Sequence, residues 1–189
     1  ATVTATASGI NAGAGLNLVV NEGEIHADSS AVATPVSHAD SDIGVTDAES
    51  SAQVHAAAYG VLSGDEGSTV TNQASGTIDV TASAGTDDGQ GTLLKATGDE
   101  KATATAGSAS SPISAYATGI ALGAGADCVT NDGTITAGAS SSPKAQAYTD
   151  SWPNHATSSA TTYSSAVAKG IAAGGGANVI TNTGLIDIS

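Results

Sequence analysis

Two aspartates at equivalent places in a repeating pattern are the best candidates for catalysis in this chain. The residue that follows one recurring isoleucine is, in chain order, His26, Asp79, Thr136 and Asp187. If the four segments are stacked parallel strands, Asp79 and Asp187 lie two strand separations apart, about 9.6 Å. Two carboxylates at that distance can protonate a leaving group and activate water, as in an inverting polysaccharide hydrolase.

The composition argues against such an enzyme. The chain has no arginine, four lysines and 3% aromatic residues. It therefore offers little to hold an anionic sugar and few rings to stack on a neutral one. We expect no catalytic residue, and a polysaccharide-active enzyme stays as the alternative from a different functional class.

A glycine-rich turn raises the question of calcium. Residues 123–129 partly match the nonapeptide that binds calcium in β-rolls, and Asp65 and Glu66 occupy an equivalent corner. However, Asn17 and Asn178 stand where the third copy has its aspartate, and the tandem of nine-residue repeats is missing. These departures favour a solvated corner, so no cofactor is expected, with a calcium-binding β-roll-like segment as a further alternative.

The remaining potential ligands and charges have simple explanations. The four histidines lie far apart without a spacing that suits zinc. They are His26, His38, His55 and His155. The single cysteine, Cys128, cannot form an internal disulfide; beside inward Val129, it should face outward or into a corner as a partly buried bystander. The acidic run at 40–49 is expected to be a solvated loop.

The elements that must position these side chains recur four times. Each copy opens on a glycine and carries an asparagine at a fixed distance from it. The glycines are Gly9, Gly60, Gly119 and Gly170, and the asparagines are Asn21, Asn72, Asn131 and Asn182. Both sets are spaced by 51, 59 and 51 residues. This regularity predicts one repeat-built domain over residues 1–189.

The apolar residues inside each copy recur with a period of two, which is the period of a strand. The segment before each glycine alternates as well, as in Val54-x-Ala56-x-Ala58. An unpaired buried lysine is rarely tolerated, so Lys169 must face solvent, which sets the phase. Val54, Ala56 and Ala58 therefore point inward and His55 points outward.

Stacking the copies aligns twelve aliphatic residues in three inward columns. The first column is Ile10, Val61, Ile120 and Ile171, the second is Val19, Val70, Val129 and Ile180, and the third is Ile25, Ile78, Ile135 and Ile186. Each repeat contributes one residue to each of the three columns, which predicts an all-β chain folded as a parallel β-solenoid of about four repeats.

The recurrent asparagines lie two residues after the second column, so they should also point inward, near a bend. Stacked amides can hydrogen-bond to one another where the backbone pairing lapses, which predicts an asparagine ladder. The other interpretation is that each asparagine adopts the left-handed conformation of its own turn.

Residues 26–53, 79–112 and 136–163 separate the copies and admit two geometries. Each repeat is either one wide, flat coil or two ordinary coils of about 20–25 residues. Long runs of alternating small residues favour the wide coil. Turn signals within these stretches fall at 40–44, 87–91 and 152–154.

Charge excludes two classes of partner. The chain carries a net charge of -14, which repels nucleic acids and anionic membrane surfaces. No apolar run approaches the length of a membrane span, so direct membrane insertion is not expected.

Two of the copies resemble a repeat known from bacterial surfaces. Residues 119–135 read GIALGAGADCVTNDGTI, and residues 170–186 read GIAAGGGANVITNTGLI. They resemble the repeat unit of autotransporter-type surface proteins and haemagglutinin-like exoproteins, and the resemblance is confined to the four copies. It implies a right-handed parallel β-helix displayed outside the cell or on its surface, in an adhesive or structural role.

Both ends of the sequence read as repeat strands rather than as caps. It opens with the alternation of Val3, Ala5 and Ala7 and closes on Ile186 and Ile188. Uncapped strands predict stacking on a neighbour, which is either a second copy in a head-to-tail fibre or the rest of a longer surface protein.

Overall fold

Alternating inward and outward side chains produce strands throughout the chain. The computed structural model describes residues 1–34, 36–41, 45–86, 92–98, 101–107, 113–151 and 155–189. Within these ranges the chain forms eighteen strands and no helix. No helix in the described part of the chain is therefore long and apolar enough to span a membrane.

The strands fall into four successive groups, one for each repeat. The first repeat contains β1 (Thr2–Gly13), β2 (Asn17–Asn21), β3 (Glu24–Ala33), β4 (Val36–Ser41) and β5 (Val45–Ser51). The second contains β6 (Gln53–Ser63), β7 (Ser68–Asn72), β8 (Thr77–Thr86), β9 (Thr92–Gly98) and β10 (Lys101–Gly107). The third contains β11 (Ile113–Ala121), β12 (Cys128–Asn131), β13 (Thr134–Ser142), β14 (Ala145–Ser151) and β15 (His155–Thr161). The fourth contains β16 (Ser164–Ala172), β17 (Val179–Asn182) and β18 (Leu185–Ile188).

Every sheet takes one strand from each repeat that contributes to it. The orders are β1-β6-β11-β16, β2-β7-β12-β17, β3-β8-β13-β18, β4-β9-β14 and β5-β10-β15. All of these pairings are parallel, and they keep the repeat register, as in Val3 beside Val54 and Ile120 beside Ile171. The prediction of an all-β chain with parallel strands is confirmed.

The pairing distance along the chain distinguishes the two geometries left open by the sequence. Paired residues are 50 to 59 positions apart, as in Gly13 beside Ser63 and Asn72 beside Asn131. Two short coils per repeat would instead pair residues about half as far apart. The described strands therefore follow the wide arrangement, with up to five strands in each repeat.

The sheets pack in two layers. The sheet that contains β1, β6 and β11 packs against the sheet that contains β3, β8 and β13. Farther along each repeat, the sheet of β4, β9 and β14 packs in the same way on that of β5, β10 and β15. Between the first two sheets lies a core of aliphatic residues and alanines, so the layer is thin.

Burial follows the predicted phase along β1 and along the first part of β6. Val54, Ala56 and Ala58 are almost fully buried, and Lys169 is exposed. Ser114 is on the outward side but is also buried, because His55 Nδ1 lies 3.0 Å from its Oγ. The His55 ring also packs on Tyr116, with ring centroids 5.3 Å apart. Neighbouring outward side chains thus cover a residue that alternation alone would leave exposed.

Other predictions concern the connecting segments. The predicted turns at 87–91 and 152–154, and residues 42–44 of the one predicted at 40–44, lie outside the described residues. The expectation that the acidic run 40–49 is a loop is wrong for its described part. Residues 40–41 belong to β4 and residues 45–49 to β5, since the alternation of small residues continues into them.

Candidate functional site

The three aliphatic columns occupy the space between the sheets. In the second and third repeats all six members are at most 1% exposed. They are Val61, Val70, Ile78, Ile120, Val129 and Ile135. In the first and fourth repeats Val19 and Ile25 are 8% exposed, Ile10, Ile171 and Ile186 are partly buried, and Ile180 is 49% exposed. The difference follows from position, because a first or last repeat has a neighbour on one side only.

The recurring glycines face the isoleucine column across the core. A Cβ built on Gly60 would collide with Ile78 Cγ2, and one built on Gly119 would collide with Ile135 Cγ2. The same collision recurs in the first and fourth repeats. These glycines are therefore needed for close approach of the layers, a role that their spacing alone does not reveal.

The four asparagines form a hydrogen-bonded ladder. Asn21 Nδ2 donates to Asn72 Oδ1 at 2.8 Å, Asn72 Nδ2 donates to Asn131 Oδ1 at 2.7 Å, and Asn131 Nδ2 donates to Asn182 Oδ1 at 2.6 Å. Asn72 and Asn131 are fully buried. Each interior amide therefore both accepts and donates along the stacking direction.

A second polar column lies at the preceding corner. Its members are Asn17, Ser68, Asp127 and Asn178, each two residues before the second aliphatic column. Asp127 is only 2% exposed; its Oδ1 accepts a hydrogen bond from Ser68 N at 2.8 Å, whereas its Oδ2 has no hydrogen-bond partner. The expectation of a solvated corner is wrong at Asp127, because alternation from Val129 turns this side chain inward.

The histidine and carboxylates predicted to share an outward column do so. His26 is beside Asp79, Asp79 is beside Thr136, and Thr136 is beside Asp187. His26 Nε2 lies 2.8 Å from Asp28 Oδ2, and His26 Nδ1 lies 3.4 Å from Asp79 Oδ2. The hydrogen bond and charge of Asp28 raise the pKa of His26 above its ordinary value, with smaller contributions from Asp79 and Glu24.

Exposure to solvent limits the reactivity of the side chains in this outward column. The side chains of His26 and Asp79 are 51% and 40% exposed, so solvent screens their interaction. The sequence did not single out Asp28, although its position two residues after His26 on one strand places both side chains on the same face.

Potential metal ligands are not clustered in the described part of the chain. Among the described residues, no group of three or more histidine, cysteine, aspartate or glutamate side chains could hold a metal ion. Cys128 is free and exposed rather than partly buried. Comparisons with protein-family models, curated protein sequences and solved structures found no match to this chain.

Proposed function

We propose that the chain is a right-handed parallel β-solenoid that serves a structural or adhesive role outside the cell, where its repeats stack end to end. The observation that carries this proposal is the continuity of pairing. Backbone register, aliphatic columns and the asparagine ladder all run in the stacking direction through every described repeat. Such a ladder provides stability without a ligand.

The two outermost repeats have complementary faces. At one face Asn21 presents an Oδ1 that accepts from Gly23 N at 3.2 Å. At the other face Asn182 presents an Nδ2 whose bond to Gly184 O is also 3.2 Å. Repeating the interior geometry would let Asn182 Nδ2 donate to the Asn21 Oδ1 of a second copy. Further repeats of the same polypeptide would fit in the same way.

The backbone of the last strand supports the same stacking. Leu185 N donates to Gly133 O, which directly precedes β13, and Ser189 N donates to Ala137 O in β13. Since successive residues of a strand alternate the direction of their N–H groups, those of Ile186 and Ile188 point to the opposite side. Ile180 and Ile188, 49% and 44% exposed, present apolar surface on the same side. A stacked repeat would cover that surface.

Location outside the cell is inferred from the surface chemistry and from the resemblance of the repeat. The acidic, lysine-poor chain offers trypsin-like proteases only four cleavable residues. Its charge of -14 also repels neighbouring copies, so stacking should strengthen as salt screens the repulsion.

The test is sedimentation velocity combined with electron microscopy across a salt series. We expect filaments that lengthen with salt and are suppressed by Ile188→Pro, which removes one outward donor. Ile188→Ala is the matched control, because it trims the side chain and keeps the N–H. A protein that stays monomeric at high concentration and high salt would contradict stacking between copies.

A polysaccharide-active enzyme is the second candidate, because Asp79 and Asp187 share one outward column with Thr136 between them. The direct assay is release of reducing ends from a panel of polysaccharides by the native protein, Asp79→Asn and Asp187→Asn. Release that both substitutions abolish would support catalysis. Absence of release from every polysaccharide would remove this candidate.

A further inference from the structure

In the second polar column, at the corner that contains Asn17 and Asn178, Asp127 cannot donate the hydrogen bond that these two asparagines donate. In the first repeat Asn17 Nδ2 donates to Gly13 O at 3.1 Å and to Gly15 O at 2.9 Å. In the fourth repeat Asn178 Nδ2 donates to Gly174 O at 2.8 Å. Each amide thus donates a hydrogen bond to the carbonyl oxygen four residues before it. The third repeat has Asp127 at this position, with no N–H to donate.

The orientation of Asp127 follows from its other oxygen. Asn178 Oδ1 accepts from Asp127 N at 3.0 Å, and Asp127 Oδ1 accepts from Ser68 N at 2.8 Å. Both Oδ1 atoms therefore accept from the backbone of the preceding repeat. We infer from this match that Asp127 Oδ2 takes the place of Nδ2 in Asn178, on the side of the Gly123 carbonyl.

Two oxygens directed at each other repel unless something positive lies between them. Asp127 is 2% exposed, and its Oδ2 has no hydrogen-bond partner. A buried carboxylate oxygen without a partner is strongly unfavourable. The surroundings add negative charge, because Asp65 Oδ1 lies against the same turn and accepts from Ala124 N at 3.1 Å.

We propose that Asp127 Oδ2 and the Gly123 carbonyl oxygen hold a calcium ion at this corner. Both ligands are oxygens, which suit a hard cation, and the carboxylate of Asp65 provides further attraction. Gly125 gives the turn a φ of +133°, a conformation that a side chain would strain. With few side-chain carboxylates the affinity should be modest, with a dissociation constant of about 10⁻⁴–10⁻³ M.

The test compares thermal unfolding in chelator and in millimolar calcium chloride. We expect calcium to raise the melting temperature of the native protein by roughly 5 °C. Asp127→Asn should abolish this rise. It should also melt higher than the native protein in chelator, because its amide can donate to Gly123 O as Asn178 donates to Gly174 O.

Asp132→Asn is the matched control, because it removes the same charge from an exposed turn of the same repeat. It should keep the calcium-dependent rise, and calorimetric titration with calcium chloride should lose its saturable heat in Asp127→Asn alone. An equal rise in the native protein and in Asp127→Asn would overturn the proposal. So would a native melting temperature that calcium leaves unchanged.

Discussion

Buried polar side chains in this protein are stabilised by hydrogen bonds to the equivalent residues of the adjacent repeats. Asn72 and Asn131 are fully buried, yet each finds a donor and an acceptor in the adjacent copies. The sequence predicted this ladder because the asparagine spacing equals the repeat spacing. It did not predict the unpaired oxygen of Asp127, because its hydrogen-bond deficit becomes visible only when the partners of Asn17 and Asn178 are known.

The ladder can be tested by truncating an interior member and an end member. Asn131→Ala should lower the free energy of unfolding by about 2–3 kcal/mol, because it removes the Oδ1 acceptor of the buried Asn72 amide and the Nδ2 donor to Asn182 Oδ1. Asn182→Ala, at an exposed position of the last repeat, should lower it by less than about 1 kcal/mol. Denaturant unfolding measures both, and equal losses would contradict an energetic role for the interior ladder.

The outward histidine provides a pH-dependent test. The pKa of His26 is raised above 6.5, chiefly by Asp28. Its stabilising contribution is therefore fully present below pH 6.5 and is lost as the pH rises through the folded-state pKa. An NMR titration should give a pKa above 6.5 that falls in Asp28→Asn and is unchanged in the remote variant Asp65→Asn. A pKa that Asp28→Asn leaves unchanged would rule out this pair as the cause.

At the scale of strands, most of the correct predictions came from the alternation of inward and outward residues. It gave the inward phase of β6 and β11 and all three aliphatic columns, because a period of two leaves little freedom once Lys169 is placed in solvent. The same alternation, extended back two residues from Val129, would have placed Asp127 inside. The assumption that glycine-rich turns are solvated overrode it. The role of Gly119 needed the facing sheet, since its clash partner Ile135 lies on another strand.

The glycine column is tested by adding one methyl group. A Cβ at Gly119 would meet Ile135 Cγ2 and would lie 2.6 Å from Gly170 O, a backbone atom that cannot move aside freely. Gly119→Ala should therefore lower the free energy of unfolding by about 2–3 kcal/mol. Gly23→Ala is the control, because open space surrounds its added methyl group; it should change stability by less than about 0.5 kcal/mol. Similar losses in the two variants would contradict close packing at Gly119.

At the scale of the whole molecule, the central feature is that each described strand pairs with a strand one full repeat away. The sequence predicted stacking but left open one wide coil or two short ones, because the segments between copies vary in length and composition. Pairing of Cys128 with Thr69, 59 residues earlier, belongs to the wide arrangement. With two short coils in each repeat, Cys128 would have a partner much nearer in the chain.

The native cysteine makes that register directly measurable. Cys128 and Thr69 are both exposed and directly paired, at a spacing typical of neighbouring strands, which a disulfide can bridge. Leu18 lies one strand farther, about 9.6 Å from Cys128, beyond the reach of a disulfide. Mild oxidation followed by mass spectrometry should show an intramolecular disulfide in Thr69→Cys and none in Leu18→Cys. A Thr69→Cys protein that forms only intermolecular disulfides, or forms the internal bond no faster than Leu18→Cys, would contradict the stacking of whole repeats.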